Sequence, residues 1–232
     1  MDGIADSINL KTVKSSESVF LQTIRLIINL VSNIFLFIIV FVSLLFSCKS
    51  TKLTVFDLHI ILCVLGYQFF MCQGILVLSQ YNSWSMLIKR RHRKHFHWIL
   101  QMLAIILVIT GSVIMIKEKH TNFNTAHGIL ALCTLVLCIL SFLNGALLHK
   151  AHTFNSSEKV TVVRYTHYVS SISTLFCSTA ALCFGFNAHS FKNWMANDNA
   201  VKSLIIITWL FTITVSIDFW ISLTSRMKKL FP

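Results

Sequence analysis

Five stretches of this chain run for twenty or more residues without Asp, Glu, Lys or Arg, at 26–46, 58–79, 96–116, 126–148 and 165–190. A sixth, 203–225, is interrupted only by Asp218. An α-helix of that length, rising 1.5 Å per residue, crosses a hydrocarbon core about 30 Å thick. The pattern predicts an all-α integral membrane protein of six transmembrane helices, joined by connections too short to hold a soluble domain. No internal repeat or low-complexity segment stands out. The first run does not read as a cleavable signal peptide, because 25 mostly polar residues precede it and its apolar stretch is too long for a signal h-region. The expected organisation is a cytoplasmic N-terminal segment at 1–25, a six-helix unit at 26–225 and a cytoplasmic tail at 226–232.

Charge adds orientation. With 55% hydrophobic and 12% charged residues the chain must lie mostly in lipid. Its net charge of +12 then belongs to loops. If the N-terminus is cytoplasmic, the inner segments hold fourteen Lys and Arg, five of them in KRRHRK at 89–94, and the outer loops hold six. The positive-inside rule places both termini and the 80–95 loop in the cytoplasm. A nucleic-acid surface is excluded as a reading of the basic run, since no water-exposed stretch is long enough to fold around it. The run orients the third helix and faces anionic lipid. The only sequon, Asn155-Ser156-Ser157, falls between the fourth and fifth helices and is expected to stay unmodified on the cytoplasmic side.

Histidine changes the picture more than charge does. Of ten His, four share one position: His59, His97, His127 and His167 are each the second or third residue of runs two to five, while runs one and six contain none. Consecutive spans alternate direction. His59 and His127 therefore lie near the outer face, and His97 and His167 near the inner one. In an up-down-up-down bundle the second and fourth helices face each other across one diagonal and the third and fifth across the other, so each pair points into a central four-helix bundle, with helices 1 and 6 peripheral. Two neutral imidazoles without a carboxylate or thiolate beside them suit haem iron better than a hard cation or a four-ligand zinc. Filling both axial positions leaves no open site on the iron, which points to electron transfer. Each imidazole should donate its other ring nitrogen to a carbonyl or water. The levels should lie roughly 20 Å apart along the membrane normal. An inside-negative potential would favour outward electron movement by about 2.3 kcal/mol per 100 mV.

Three strings carry a family resemblance: HWILQMLAIILVITG at 97–111, AHGILAL at 126–132 and RYTHYVSS at 164–171. Set in six helices with one His near the start of each of helices 2 to 5, they resemble the cytochrome b561 family of transmembrane ascorbate-dependent reductases. Within it they are similar to the short branch known as cytochrome b561 domain-containing proteins. The resemblance implies two haems b, with His59 and His127 ligating the outer iron and His97 and His167 the inner one. It implies cytoplasmic ascorbate as donor, and monodehydroascorbate radical or ferric iron as acceptor on the non-cytoplasmic side. The family's use of basic residues at the cytoplasmic ends of helices 3 and 5 makes Arg91, Arg93, Lys94 and Arg164 the candidates for holding ascorbate. The expected location is an endomembrane of the endoplasmic reticulum or a vesicle, with the plasma membrane as the alternative; a homodimer is left open.

Other polar residues have plainer readings. His92 and His95 form H-x-x-H-x-H with His97, but five cations around them would repel a divalent ion, and they read as a solvated loop. His120, with Asn122 and Asn124, is the polar group expected near the outer acceptor. His149, His152 and His189 read as interfacial. The seven Cys contain no C-x-x-C and mostly lie within helices, so neither disulfides nor zinc are expected. Asp218 is expected to pair with Arg226, and Gln68 and Gln73 to hydrogen-bond between helices. The rival function is a proton or metal-ion transporter built on the same histidines, which would ordinarily need carboxylates inside the membrane; a structural or adaptor role is the third reading.

Overall fold

The computed structural model describes residues 19–79, 82–89, 91–150 and 157–230, apart from the side chains at 21, 157–158, 218–219 and 221–230. His152 and Asn155 lie outside the described residues, as do the side chains of the expected Asp218–Arg226 pair. Six long helices make up the described chain: α1 Val19–Ser47, α2 Val55–Leu76, α3 Arg93–Glu118, α4 Ala126–His149, α5 Ser157–Phe186 and α6 Asp198–Leu230. A 3₁₀ turn, Ser85–Leu87, and a short helix, His189–Met195, lie in the connections. All six long helices contain spans of membrane length.

Helix ends depart from the charge-free runs for local reasons. α2 begins before Asp57 because Thr54 and Asp57 form a capping box: Asp57 N–H donates to Thr54 Oγ1 at 3.2 Å and Asp57 Oδ2 accepts from Thr54 N–H at 3.0 Å. The reciprocal bonds satisfy the first orphan amides of the helix, an effect of about 1 kcal/mol. Lys49, 4.0 Å from Asp57 Oδ1 and 3.6 Å over the Phe46 ring, ties the end of α1 to that cap. The run 165–190 hides a break at Asn187, after which the short helix His189–Met195 packs Phe191 and Trp194 edge-on against Phe46 at 5.0 and 5.4 Å.

α2 and α3 form one antiparallel hairpin and α4 and α5 another. α1 packs on α2, α6 on α5, and α1 on α6, so these two helices close one side of the four-helix unit. On the other side α3 and α4 expose Ile106, Ile109, Val136 and Leu143, as lipid contact requires. Side-chain hydrogen bonds tie the helices together, among them Gln73 Nε2 to Asn33 Oδ1 at 3.0 Å, Ser141 Oγ to Ser171 Oγ at 2.6 Å, and Thr179 Oγ1 to Thr212 Oγ1 at 2.6 Å.

One irregularity bears on function. Residues Val64–Met71 of α2 are wound as a π-helix. The ladder it disturbs is repaired locally: Cys72 Sγ donates to Tyr67 O at 3.4 Å, and Gln101 Nε2 of α3 donates to Met71 O at 3.1 Å. π segments of this kind concentrate at functional sites.

Candidate functional site: two histidine pairs

The structure brings the four histidines together two by two. The His59 and His127 rings have their centroids 6.5 Å apart at an interplanar angle of 83°, and those of His97 and His167 are 6.5 Å apart at 86°. Each ring is fixed by a carbonyl of the neighbouring helix. His59 Nδ1 lies 2.8 Å from Gly111 O, His97 Nδ1 2.7 Å from Gly74 O, His127 Nδ1 2.8 Å from Ala181 O and His167 Nδ1 2.9 Å from Ser141 O. A carbonyl oxygen only accepts, so every Nδ1 holds the proton and every Nε2 keeps its lone pair for a ligand. This is the arrangement that fixes tautomer and ring orientation in metal-binding histidines.

The spacing has a pattern. In α3, α4 and α5 the histidine and the carbonyl serving its neighbour are fourteen residues apart, at 97 and 111, 127 and 141, 167 and 181. In α2 they are fifteen apart, at 59 and 74, and the π segment lies between them. The wider turn absorbs the additional residue and keeps Gly74 O in register with His97. Fourteen residues at 1.5 Å set the two levels about 21 Å apart along the helices.

A group between the rings can be tested by dimension. Two imidazoles bound trans to one iron, with bonds of about 2 Å, place their ring centroids about 6.3 Å apart. Glycines supply room beside the rings. A Cβ at Gly145 would lie 3.2 Å from His167 Cε1, and one at Gly185 3.9 Å from His127 Cε1. Gly74 and Gly111 let α2 and α3 approach closely enough for their carbonyls to reach, since a Cβ there would meet Gln101 Nε2 at 2.6 Å and Leu62 Cβ at 2.9 Å. Ring separation, free Nε2 atoms and glycine-lined walls all fit bis-histidine haem.

Lys94 and Arg164 are exposed and stand one turn nearer the helix start than His97 and His167. They therefore share the basic face, where the 79–92 connection lies. Arg91 is exposed on the turn before α3, its Nε donating to His92 Nε2 at 3.1 Å. Arg93 is instead a tether, donating to Ser79 O at 2.9 Å and Ile88 O at 3.3 Å and so pinning the connection to α3. His120 is exposed in the 119–125 connection of the opposite face, where Asn122 Nδ2 caps α3 by donating to Ile116 O at 3.0 Å. His149 packs on Trp98 at 5.1 Å, and His189 Nε2 is 2.9 Å from Asn193 Nδ2. All seven cysteines are free thiols.

Two features go beyond the sequence pattern, which signals only the interhelical bond of Gln73. A partly buried polar chain runs from Trp84 Nε1 to Gln73 Oε1 at 2.7 Å, from Gln73 to Asn33, and from Asn33 Nδ2 to Asn29 Oδ1 at 3.1 Å, whose oxygen also accepts from Ser83 N–H at 3.3 Å. It locks the connection that carries the basic run to α1 and α2. The other is Tyr67, buried in the π segment with its hydroxyl unpartnered among the described residues.

The eukaryotic cytochrome b561 family matches residues 58–193, more than half of the chain and a range holding all four paired histidines. A stretch of 79 residues is 30% identical to Transmembrane reductase CYB561D2 of Homo sapiens, and equally to that of Bos taurus. The protein of the same name from Mus musculus is 29% identical over 79 residues. These alignments cover 32% of this chain and 36% of each relative, so the chain spans about a third of the length of the curated relatives it matches.

Proposed function

The chain belongs to the eukaryotic cytochrome b561 family, and on that premise we propose that it is a transmembrane reductase moving single electrons from ascorbate on the basic face to monodehydroascorbate radical or ferric iron on the opposite face. His59 and His127 hold one haem b, and His97 and His167 hold a second. The observation that carries this reading is the pair of imidazole couples at 6.5 Å, each ring anchored through Nδ1 to a carbonyl. When bound, each haem would supply a one-electron redox couple. The residues hold and orient. Carbonyls fix the rings, glycines admit the porphyrin, and the surrounding apolar helices exclude water. The purified full chain should be red, with a dithionite-reducible b-type absorption band and two haems per chain. Colourless protein that translocates protons or metal ions would favour a transporter.

The basic face is assigned to the cytoplasm, because fourteen Lys and Arg fall on that side against six on the other. Asn155 is therefore expected to remain unglycosylated in cells. A glycosidase-sensitive mass shift that disappears in Asn155→Gln would reverse the topology and exchange donor and acceptor faces.

Ascorbate is an anion at neutral pH, and Arg91, Lys94 and Arg164 are exposed within two turns of His97 or His167 along the chain. Exposed cations there raise the local concentration of an anion and orient it. Arg91→Gln with Lys94→Gln is expected to raise the half-saturating ascorbate concentration roughly three- to tenfold, the range for two exposed charges. Haem content and dithionite reduction should stay at wild-type values. Added salt should imitate the defect, since such charges act over a Debye length of about 8 Å at physiological ionic strength. Wild-type rates across a full ascorbate series would place the donor site elsewhere.

A further inference from the structure

Between the two histidine levels α3, α4 and α5 bury several small side chains, and α2 buries Tyr67. Two to three turns inward from their histidines, α3 buries Ala104 and Val108, α4 Thr134 and Cys138, and α5 Thr174 and Ser178. The Thr134 and Thr174 hydroxyls are committed to carbonyls one turn back at 2.7 Å, and Ser178 to Leu175 O at 2.9 Å. α2 places Tyr67 in this layer, 9% exposed, with no partner for its hydroxyl among the described residues. A phenylalanine would fill the same space without the cost of an unmade hydrogen bond in a lipid-embedded core. The hydroxyl therefore calls for a role.

The π segment aims this ring. On a regular α-helix residue 67 would stand about 80° around the axis from residue 59. A π stretch turns less per residue, so Tyr67 falls back toward the direction of His59. Helical side chains also lean toward the N-terminus, which tips the Tyr67 ring toward the His59–His127 level. Its surroundings agree with that direction. Cys63, one turn before Tyr67 on the same helix, has its Sγ 3.6 Å from His59 Nδ1.

We propose that Tyr67 couples the two levels: its hydroxyl faces the haem held by His59 and His127 and favours that haem's reduction, and its ring fills the gap that the electron crosses. The proposal rests on the haem assignment of the four histidines given above. An O–H dipole turned toward the porphyrin stabilises the added electron, and a low-dielectric interior strengthens the effect. One electron leaves a ferrous centre at the His97–His167 level and reduces a ferric centre at the His59–His127 level. Tyr67 itself is neither oxidised nor deprotonated; it is a positioning residue. Raising the potential of the receiving centre makes the transfer downhill.

The test uses the full chain loaded with both haems, the two centres being assigned through His127→Ala. Tyr67→Phe should keep two haems and lower the midpoint of the His59–His127 haem. The equilibrium between the centres should change about two- to tenfold, at most about 59 mV for one electron. Tyr67→Leu, which also removes the ring, should show the same shift and slow electron exchange between the levels tenfold or more in flash photolysis. An unchanged midpoint difference in Tyr67→Phe overturns the proposal, as does wild-type exchange in Tyr67→Leu. Loss of a haem from Tyr67→Phe also overturns it, because that marks a packing role. A wild-type chain carrying fewer than two haems would instead defeat the underlying haem assignment.

Discussion

Replacing His59 or His127 by Ala is expected to yield a protein with one haem, its remaining absorption and redox behaviour those of the His97–His167 level. Replacing His97 or His167 should leave the complementary haem. The expectation follows from separate anchoring: the two levels lie about 21 Å apart along the helices and share no ring contact. Within a level the two substitutions should be equivalent, since removing either imidazole removes an axial bond and leaves the other ring facing an emptied pocket. Transfer from ascorbate to an acceptor on the opposite face should fall to background in all four variants. Ascorbate should still reduce the remaining haem only in His59→Ala and His127→Ala, where the level beneath the basic face survives. Haem counts by pyridine haemochrome and separate redox titrations check both statements. Equal loss of both haems from every variant would contradict the pairing. A lost haem also removes packing and binding free energy from the bundle, so reduced yield alone supports nothing.

How much of this is legible in the sequence depends on the scale of the feature. The six crossings are legible because a charge-free run of membrane length has few other uses. That His59 faces His127 and His97 faces His167 is legible too, because consecutive spans alternate direction and each histidine holds the same place in its run. The boundaries are less so. Counting charges starts α2 after Asp57, whose carboxylate is accommodated by Thr54 and Lys49, and it runs α5 on into a separate helix because Asn187 and Ala188 carry no charge. Gln73 bonds between helices through Asn33, whereas Gln68 Oε1 finds no partner among the described residues. The π segment leaves no trace in composition or periodicity. Its sign is the fifteen-residue interval between His59 and Gly74, which has meaning only once Gly74 O is known to receive His97. Nor does the basic run reveal that Arg93 is a tether while Arg91 and Lys94 face water. That division depends on where the carbonyls of Ser79 and Ile88 end up.

Gly66 is expected to be the position where one added methyl group damages both levels at once. A Cβ there would overlap Val108 Cγ1 and lie 3.2 Å from both Ala104 O and Val108 N. Val108 is fully buried, and two of the three contacts are backbone atoms that no rotamer change can move. Relief of the strain is therefore expected to come from moving α2 away from α3. Those helices exchange the two carbonyl bonds that orient His59 and His97, at 2.8 and 2.7 Å, and a separation of roughly 1 Å would take both beyond hydrogen-bonding range. Overpacking of this kind costs about 1–3 kcal/mol. Gly66→Ala should thus lower thermal stability and shift the midpoints of both haems, while Gly66→Leu should lose both, in contrast to the one-level losses of the histidine variants. The nearest contact is a side-chain methyl, so Gly66→Ala combined with Val108→Ala should recover part of the stability and haem content, with the backbone contacts limiting the rescue. A Gly66→Leu protein that retained both haems at wild-type potentials would show that the α2–α3 approach does not set the histidine geometry.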